Sequence, residues 1–196
     1  MKIQSILVAV GLAARGGLSS GMIGCASSAK ADGPEPPRLR AWDEFKPVGD
    51  GDVWLGGQPS IEALDRFVAE TQGRGIVINL RTDEEMAFLP YYDRAVAARG
   101  MRLVHIPMKG SELDAPEVEA YAHVMAEHDG PVLLHCAGGG RASYLWAMDK
   151  MRAEGWSADD AFDWLSAYYE KPPGERGTRL LRRYEAQRDG VAVPAE

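Results

Sequence analysis

Short apolar runs alternate with segments of helical periodicity through most of this chain. The apolar runs cover residues 53–55, 75–80, 102–106 and 131–135. Between the first two runs, Ile61, Leu64 and Phe67 recur at the spacing of one helix face. Strands separated by helices of this length form parallel sheets, because each connection must cross over and pack on the sheet. We therefore expect a three-layer α/β/α fold around a central, mostly parallel sheet of four to five strands.

Residues 135–141 read H-C-A-G-G-G-R and lie where the fourth apolar run ends and the next helix begins. In parallel sheets, ligands bind beyond the carboxyl ends of the strands. A loop over Ala137, Gly138, Gly139 and Gly140 can turn its backbone N–H groups inward, because glycine permits the required backbone angles. The helix N-terminus and the planar guanidinium of Arg141 add positive charge. This arrangement favours a negative charge, either on the Cys136 sulfur or on a bound oxyanion.

A structural role is the alternative interpretation of this loop. A buried cysteine can serve only as a small apolar residue, and a run of glycines can be only a turn. However, His135 before the cysteine, three glycines after it and Arg141 at the start of a helix are separate features. Their coincidence at a strand end favours a catalytic or anion-binding loop.

The stretch resembles the phosphate-binding loop of cysteine-dependent tyrosine and dual-specificity phosphatases. Three upstream motifs, in this order, are similar to the bacterial beta-lactamase-hydrolase-like phosphatase group: G-Q-P-S at 57–60, I-N-L-R at 78–81 and H-I-P at 105–107. The resemblance covers about residues 50–156. It implies hydrolysis of phosphomonoesters through a Cys136 phosphocysteine, with Arg141 and the loop amides holding the phosphate oxygens. It implies no metal or cofactor, and a phosphorylated protein or small phosphoester as the substrate.

Two departures from the phosphatase pattern leave other functions open. Four residues separate Cys136 from Arg141, where most phosphatases have five. The beta-lactamase-hydrolase-like group shares this shorter spacing, but so do many rhodanese sulfurtransferases, which would use a Cys136 persulfide. Ala142 stands where phosphatases usually carry Ser or Thr, and Ser143 is expected to point elsewhere. The alternatives are therefore a rhodanese-like sulfurtransferase and a non-catalytic oxyanion-binding module.

The general acid is not identified by the sequence. The resemblance implies an Asp soon after the strand that ends in Ile-Pro, and Asp114 is the best positional match. Asp114 also suits the N-cap of a helix with Glu117 three residues later. Glu85, with Asp83 and Glu84, follows the second strand and is either a second candidate acid or a charge in a first helical turn. Arg81 beside them is expected to steer an anion or to form a surface ion pair.

The amino terminus resembles a bacterial lipoprotein signal. A positive start and an apolar segment lead to Gly24 and Cys25, which is the candidate lipidated residue. We expect a leader over 1–25, a flexible Pro-rich linker over 26–41 and a phosphatase-like domain over 42–190. The protein would then be exported, as a periplasmic or membrane-anchored lipoprotein. A disordered leader and a start codon placed too far upstream are the alternatives.

Charge and cysteine content exclude several other classes. The formal net charge of −7 argues against a nucleic-acid-binding surface. A basic cluster near the C-terminus is typical of a solvated helix face. Only two cysteines occur, so neither a disulfide framework nor a Cys-rich zinc site is expected.

Overall fold

The computed structural model describes residues 37–111 and 113–191. The predicted leader over 1–25, its candidate lipidation site Cys25 and most of the predicted linker lie outside the described residues. Within the described part, no helix has the length and apolar character needed to cross a bilayer.

A five-stranded sheet forms the centre of the fold, in the order β1-β2-β5-β3-β4. Strand β1 pairs with β2 in antiparallel fashion, and the other three pairings are parallel. The predicted mostly parallel sheet is thus confirmed, and β1 is the strand that the apolar runs did not reveal. The strands are β1 (Lys46–Val48), β2 (Val53–Gly56), β3 (Ile76–Asn79), β4 (Arg102–His105) and β5 (Val132–His135).

Seven α-helices in the described residues connect or flank these strands, and side-chain caps begin several of them. The Ser60 hydroxyl accepts the Ala63 N–H at the start of the first helix, and Asp114 begins a capping box at the fourth. The helices are α1 (Ile61–Thr71), α2 (Asp83–Met86), α3 (Tyr92–Ala97), α4 (Ala115–Glu127), α5 (Gly140–Glu154), α6 (Ala158–Tyr169) and α7 (Glu175–Arg188).

The helices cover both faces of the sheet. On one face, α1 and α3 bury Leu64, Phe67 and Val96 in a cluster with Val77 of β3. On the other face, α4, α5, α6 and α7 share a second cluster with residues of β2, β3 and β5. The predicted three-layer α/β/α arrangement is therefore confirmed.

The folded part begins before Trp42, the residue at which the sequence analysis placed its start. The Arg40 N–H donates to the Gln58 carbonyl at 2.7 Å, and the Ser60 N–H donates to the Arg40 carbonyl at 2.9 Å. These bonds fix Arg40 beside the segment that follows β2. The polar, proline-rich composition of 26–41 gave no sign of this pairing, because main-chain hydrogen bonds do not depend on the side chain.

The register of the parallel strands brings three strand ends together. His135 at the end of β5 lies opposite Gly56 of β2 and Asn79 of β3. The Cys136 N–H extends this pairing by donating to the Gly56 carbonyl at 3.3 Å. The residues that follow β2, β3 and β5 consequently meet at one edge of the sheet.

Candidate active site

Cys136 follows β5 directly, and its side chain is buried beneath the loop that leads into α5. The Gly139 N–H donates to the Cys136 Sγ at 3.1 Å. This contact needs the positive φ of 97° at Gly139, a backbone conformation that glycine adopts readily. The loop therefore turns a backbone donor toward the sulfur, as the glycine run predicted.

The segment after β2 braces the outer side of this loop. Gly57 and Gly138 form an antiparallel bridge, and the Gln58 N–H donates to the Ala137 carbonyl at 3.2 Å. A Cβ on Gly57 would lie 2.9 Å from the Ala137 carbonyl oxygen. Gly57 of the G-Q-P-S motif thus permits the close approach of two backbones that shapes the loop.

Arg141 lies in the first turn of α5, and two carbonyl groups position its guanidinium. Its Nη1 donates to the Met108 carbonyl at 2.7 Å and to the Leu80 carbonyl at 3.1 Å. Burial lowers the pKa of the guanidinium, but its hydrogen bond to Glu85 and the nearby Cys136 sulfur together raise that pKa above its ordinary value. Arg141 therefore carries a fixed positive charge next to the sulfur.

Glu85 is the acidic partner of Arg141. The Glu85 Oε2 accepts from Arg141 Nη1 and Oε1 accepts from Arg141 Nη2, both at 2.8 Å. Burial raises the pKa of the Glu85 carboxyl, but hydrogen bonds from Arg141 and from the Thr82 amide outweigh it, so the pKa is lowered. An ionised carboxylate that accepts hydrogen bonds on both oxygens has no proton to donate. The structure thus shows Glu85 as the ion-pair partner of Arg141, and its role as general acid stays a prediction.

Asp114 lies at the N-terminus of α4, where its Oδ1 accepts the Ala115 N–H at 2.9 Å. Its Oδ2 accepts from Gln187 Nε2 at 3.1 Å and lies 3.7 Å from Arg183 Nη2, both on α7. These partners lie on α4 and α7. Among the described residues, none of them belongs to the loop from Cys136 to Arg141. The structure therefore supports the capping role of Asp114.

Arg81 is buried beside the loop, so the expectation of a surface ion pair is wrong. Only 4% of the residue is exposed. Its Nη2 donates to the Glu85 carbonyl at 3.2 Å, whereas its buried Nε has no hydrogen-bond partner among the described residues. Burial lowers the pKa of this guanidinium, and the charge of Arg141 acts in the same direction. Arg81 thus adds a second positive charge behind Glu85, close to Arg141.

His135 and Tyr92 form a buried pair under the loop that the sequence did not indicate. The Tyr92 hydroxyl lies 2.8 Å from His135 Nε2, and His135 Nδ1 lies 3.4 Å from the Cys136 carbonyl oxygen. Burial lowers the pKa of His135 to about 3, so the ring is neutral near pH 7. A neutral imidazole has one N–H donor and one acceptor nitrogen. These contacts fit that state, with the Tyr92 hydroxyl donating to Nε2 and the Nδ1–H donating to the Cys136 carbonyl.

The hydroxyl of Ser143 does not replace the hydroxyl that phosphatases usually carry at the position of Ala142. It donates to the Gly140 carbonyl at 2.9 Å and lies 2.6 Å from the Tyr169 hydroxyl. Ala142 itself is fully buried. As expected, Ser143 bonds elsewhere, and the group next to Arg141 on the helix is a methyl.

These elements together form a site for a tetrahedral oxyanion next to a thiol. The described residues supply a buried cysteine sulfur, a backbone N–H directed at it and a guanidinium held by Glu85 and two carbonyls. Groups of this kind stabilise negative charge on transferred oxygens.

Relatives of known sequence carry a similar domain. A "Beta-lactamase hydrolase-like protein" from Agrobacterium fabrum is 35% identical over 97 residues, which is 48% of this chain and 22% of that protein. One from Xylella fastidiosa is 30% identical over 100 residues, or 50% of this chain and 23% of that protein. The chain thus spans less than a quarter of the length of these curated relatives.

Solved phosphatase structures share the fold. Tk-PTP in its active form superposes with a TM-score of 0.57 at 23% identity, covering 75% of this chain and 99% of Tk-PTP. At this level of identity the likeness establishes the fold alone. Residues 54–153 match the family described as "Beta-lactamase hydrolase-like protein, phosphatase-like domain". Because that match covers half of the sequence and includes the loop from Cys136 to Arg141, the chain belongs to this phosphatase-like family.

Proposed function

We propose that this protein is a cysteine-dependent phosphatase that hydrolyses phosphomonoesters through a phosphocysteine at Cys136. One observation carries the proposal: the Cys136 sulfur lies under the Gly139 N–H, at the head of the helix that carries Arg141. The substrate is a phosphorylated protein or a small phosphoester. Membership of a phosphatase-like family supports the same reaction class.

In the first step, the Cys136 thiolate attacks phosphorus and the bond from phosphorus to the ester oxygen breaks. The loop amides and the donors of Arg141 that remain outside the Glu85 pair bind the other phosphate oxygens. The geometry of the guanidinium does not have to be created on binding, because the Leu80 and Met108 carbonyls already hold it. This preorganisation lowers the barrier to transfer.

Water supplies the proton for the leaving oxygen in this proposal. Among the carboxylates within residues 37–111 and 113–191, only that of Glu85 bonds to the loop, and it is ionised. In the second step, a water molecule attacks the phosphocysteine, the S–P bond breaks to return the thiolate, and inorganic phosphate leaves. The proton that this water releases neutralises the hydroxide left by the first step. Sulfur departs without help from a hydroxyl on residue 142, since that residue is alanine. We therefore expect the second step to be slow relative to the first.

Hydrolysis of p-nitrophenyl phosphate tests the proposal, with wild type compared with Cys136→Ser. Phosphate release by wild type and its loss in the variant are the expected results. Arg152→Lys is a matched control, because Arg152 lies on the same helix and pairs with Asp149 away from the loop. Wild-type protein without phosphatase activity would contradict the proposal.

Thiosulfate-to-cyanide transfer is measured on the same samples to test the sulfurtransferase alternative. Thiocyanate formation that depends on Cys136 would indicate a sulfurtransferase that works through a Cys136 persulfide, and not a phosphatase. Inactivity in both assays, with retained phosphate binding, would instead identify a non-catalytic oxyanion-binding module.

A further inference from the structure

A small cavity adjoins the outer side of the catalytic loop. It measures about 140 Å³, and four glycines line it: Gly56, Gly57, Gly138 and Gly139. Its wall also contains polar and charged residues: Arg40, Glu44, Lys46, Tyr168 and Tyr169. Because Gly139 also donates to the Cys136 sulfur, the cavity and the anion site share one loop as a common wall.

Arg40 is held against this loop by its backbone and by its side chain. The main chain of Arg40 bonds to Gln58 and Ser60, and Gln58 in turn bonds to Ala137 of the loop. The Arg40 side chain lies so close to Gly57 that a Cβ there would come within 2.9 Å of the Arg40 Cγ and Nε. Arg40 is therefore a fixed part of the wall, although its neighbours in sequence read as a linker.

The Arg40 Nε is buried and has no hydrogen-bond partner among the described residues. Its Nη1 donates to Glu44 at 2.6 Å, which leaves other donors of the guanidinium available. This Nε packs against Gly57 and is closed off from the cavity. The Nη groups are therefore the donors of Arg40 that can meet an acceptor in the cavity.

The charge of the cavity favours an anion. Lys46 reaches it from β1, where its Nζ donates to the Tyr168 carbonyl at 2.9 Å and lies 4.9 Å from the centre of the Tyr168 ring. The one carboxylate in the wall, Glu44, is paired with both Arg40 and Arg38. Arg40 and Lys46 in the wall outnumber the single carboxylate of Glu44, so the cavity carries an excess of positive charge in a chain of net charge −7.

We propose that this cavity binds a second phosphate group of the substrate, so that the preferred substrates are small bisphosphorylated compounds. The proposal rests on the proposed phosphatase function and deepens it. One phosphate lies over Cys136 and the second reaches across Gly138 and Gly139 to Arg40 and Lys46. Bidentate and charge-assisted contacts of this kind add affinity that a monophosphate cannot obtain.

Calorimetric binding to the Cys136→Ser protein tests this without turnover. Glucose 1-phosphate and glucose 1,6-bisphosphate form a matched pair that differs only in the second phosphate. We expect the bisphosphate to bind at least about tenfold more tightly, as a charged hydrogen bond provides. Adding Lys46→Gln should reduce that preference to less than about twofold, whereas Lys150→Gln on α5, whose lysine pairs with Glu154, should retain it.

The second phosphate can belong to a soluble compound or to a lipid headgroup, and vesicles distinguish them. Phosphatidylcholine vesicles with and without phosphatidylinositol 4-phosphate are mixed with the same proteins. Lys46-dependent binding to the phosphorylated lipid alone supports the proposal with a lipid source. Equal affinity for the two glucose phosphates, together with no Lys46-dependent vesicle binding, overturns it. Hydrolysis of p-nitrophenyl phosphate by wild type reports on the proposed function separately.

Discussion

Glu85 and Arg141, 56 positions apart in the sequence, are joined by two hydrogen bonds of 2.8 Å each. The main-chain carbonyl of Glu85 also accepts a hydrogen bond from Arg81. Arg141 is therefore oriented by the carboxylate of a residue that is itself held by a second arginine. This relationship explains why an acidic residue follows β3 at the edge of an anion site, where a negative charge would otherwise oppose substrate binding.

The first prediction concerns the activity of Glu85→Gln. Removing the charge weakens two charge-assisted hydrogen bonds, each of a kind that contributes about 1.5–3 kcal/mol. We expect kcat/KM for p-nitrophenyl phosphate to fall about 10- to 100-fold. Because water is the proposed proton donor, the kcat-pH profile of wild type should show no basic limb that depends on Glu85. A basic limb in wild type that is lost in the variant would return Glu85 to the role of general acid.

The second prediction concerns stability and pH. In the folded protein the pKa of Glu85 lies below its ordinary value of 4.5, so its ion pair stabilises the fold above that value. The contribution is lost as the pH falls through the folded-state pKa. Wild type should therefore exceed Glu85→Gln in melting temperature near neutral pH, and the two should converge in acid. Glu119→Gln, on the exposed face of α4, is the control. A difference that stays constant with pH would contradict the ion pair.

The third prediction is a large loss of activity in Arg141→Lys. An ammonium cannot contact a carboxylate, two carbonyls and a phosphate with the planar geometry of a guanidinium. We expect kcat to fall at least about 100-fold, the order seen when one oxyanion donor is lost. Circular dichroism should show retained secondary structure. Near-normal kinetics would mean that Arg141 does not bind the transferred phosphate.

The fourth prediction separates strain from function at Gly139. Gly139→Ala places a side chain at a φ of 97° and a Cβ 3.3 Å from the Gly56 carbonyl carbon. Gly155→Ala, at the other end of α5, has a φ of 73° but no atom within 4 Å of the new Cβ. Both variants should lose about 1–2 kcal/mol of stability through the left-handed conformation. Only Gly139→Ala should also lose phosphatase activity, and equal activity in the two would exclude a functional role for the loop conformation.

The fifth prediction concerns Asp114→Asn. Asparagine caps helices about as well as aspartate, so α4 should keep its stability. Because Asp114 bonds to α4 and α7, we expect kcat to change by less than about twofold. A loss of 100-fold or more, with a missing basic limb in the pH profile, would instead identify Asp114 as the general acid.

The sequence predicted those features that depend on local patterns. Each of the four parallel strands contains a short apolar run, and the caps at Ser60 and Asp114 are local hydrogen-bonding signals. The loop from Cys136 to Arg141 was recognisable because its nucleophile, glycines and arginine are consecutive. Each of these predictions needed only neighbours within a few residues.

The features that the sequence missed depend on long-range contacts. Strand β1 has three residues, including Pro47, so it shows no periodicity. Arg81 was expected at the surface because arginine is rarely buried, yet Glu85 and the sheet edge enclose it. The pair of Tyr92 with His135 spans 43 positions and could not be inferred from either residue alone.

The anchoring of Arg40 has a practical consequence for anyone who shortens this protein. A fragment that starts at Trp42, the boundary expected from composition, lacks the main-chain hydrogen bonds that join Arg40 to Gln58 and Ser60. Such a fragment would still contain every atom of the thiol and the guanidinium. It would nevertheless lack the outermost support of their loop, so its failure in an assay would reflect the cut and not the chemistry.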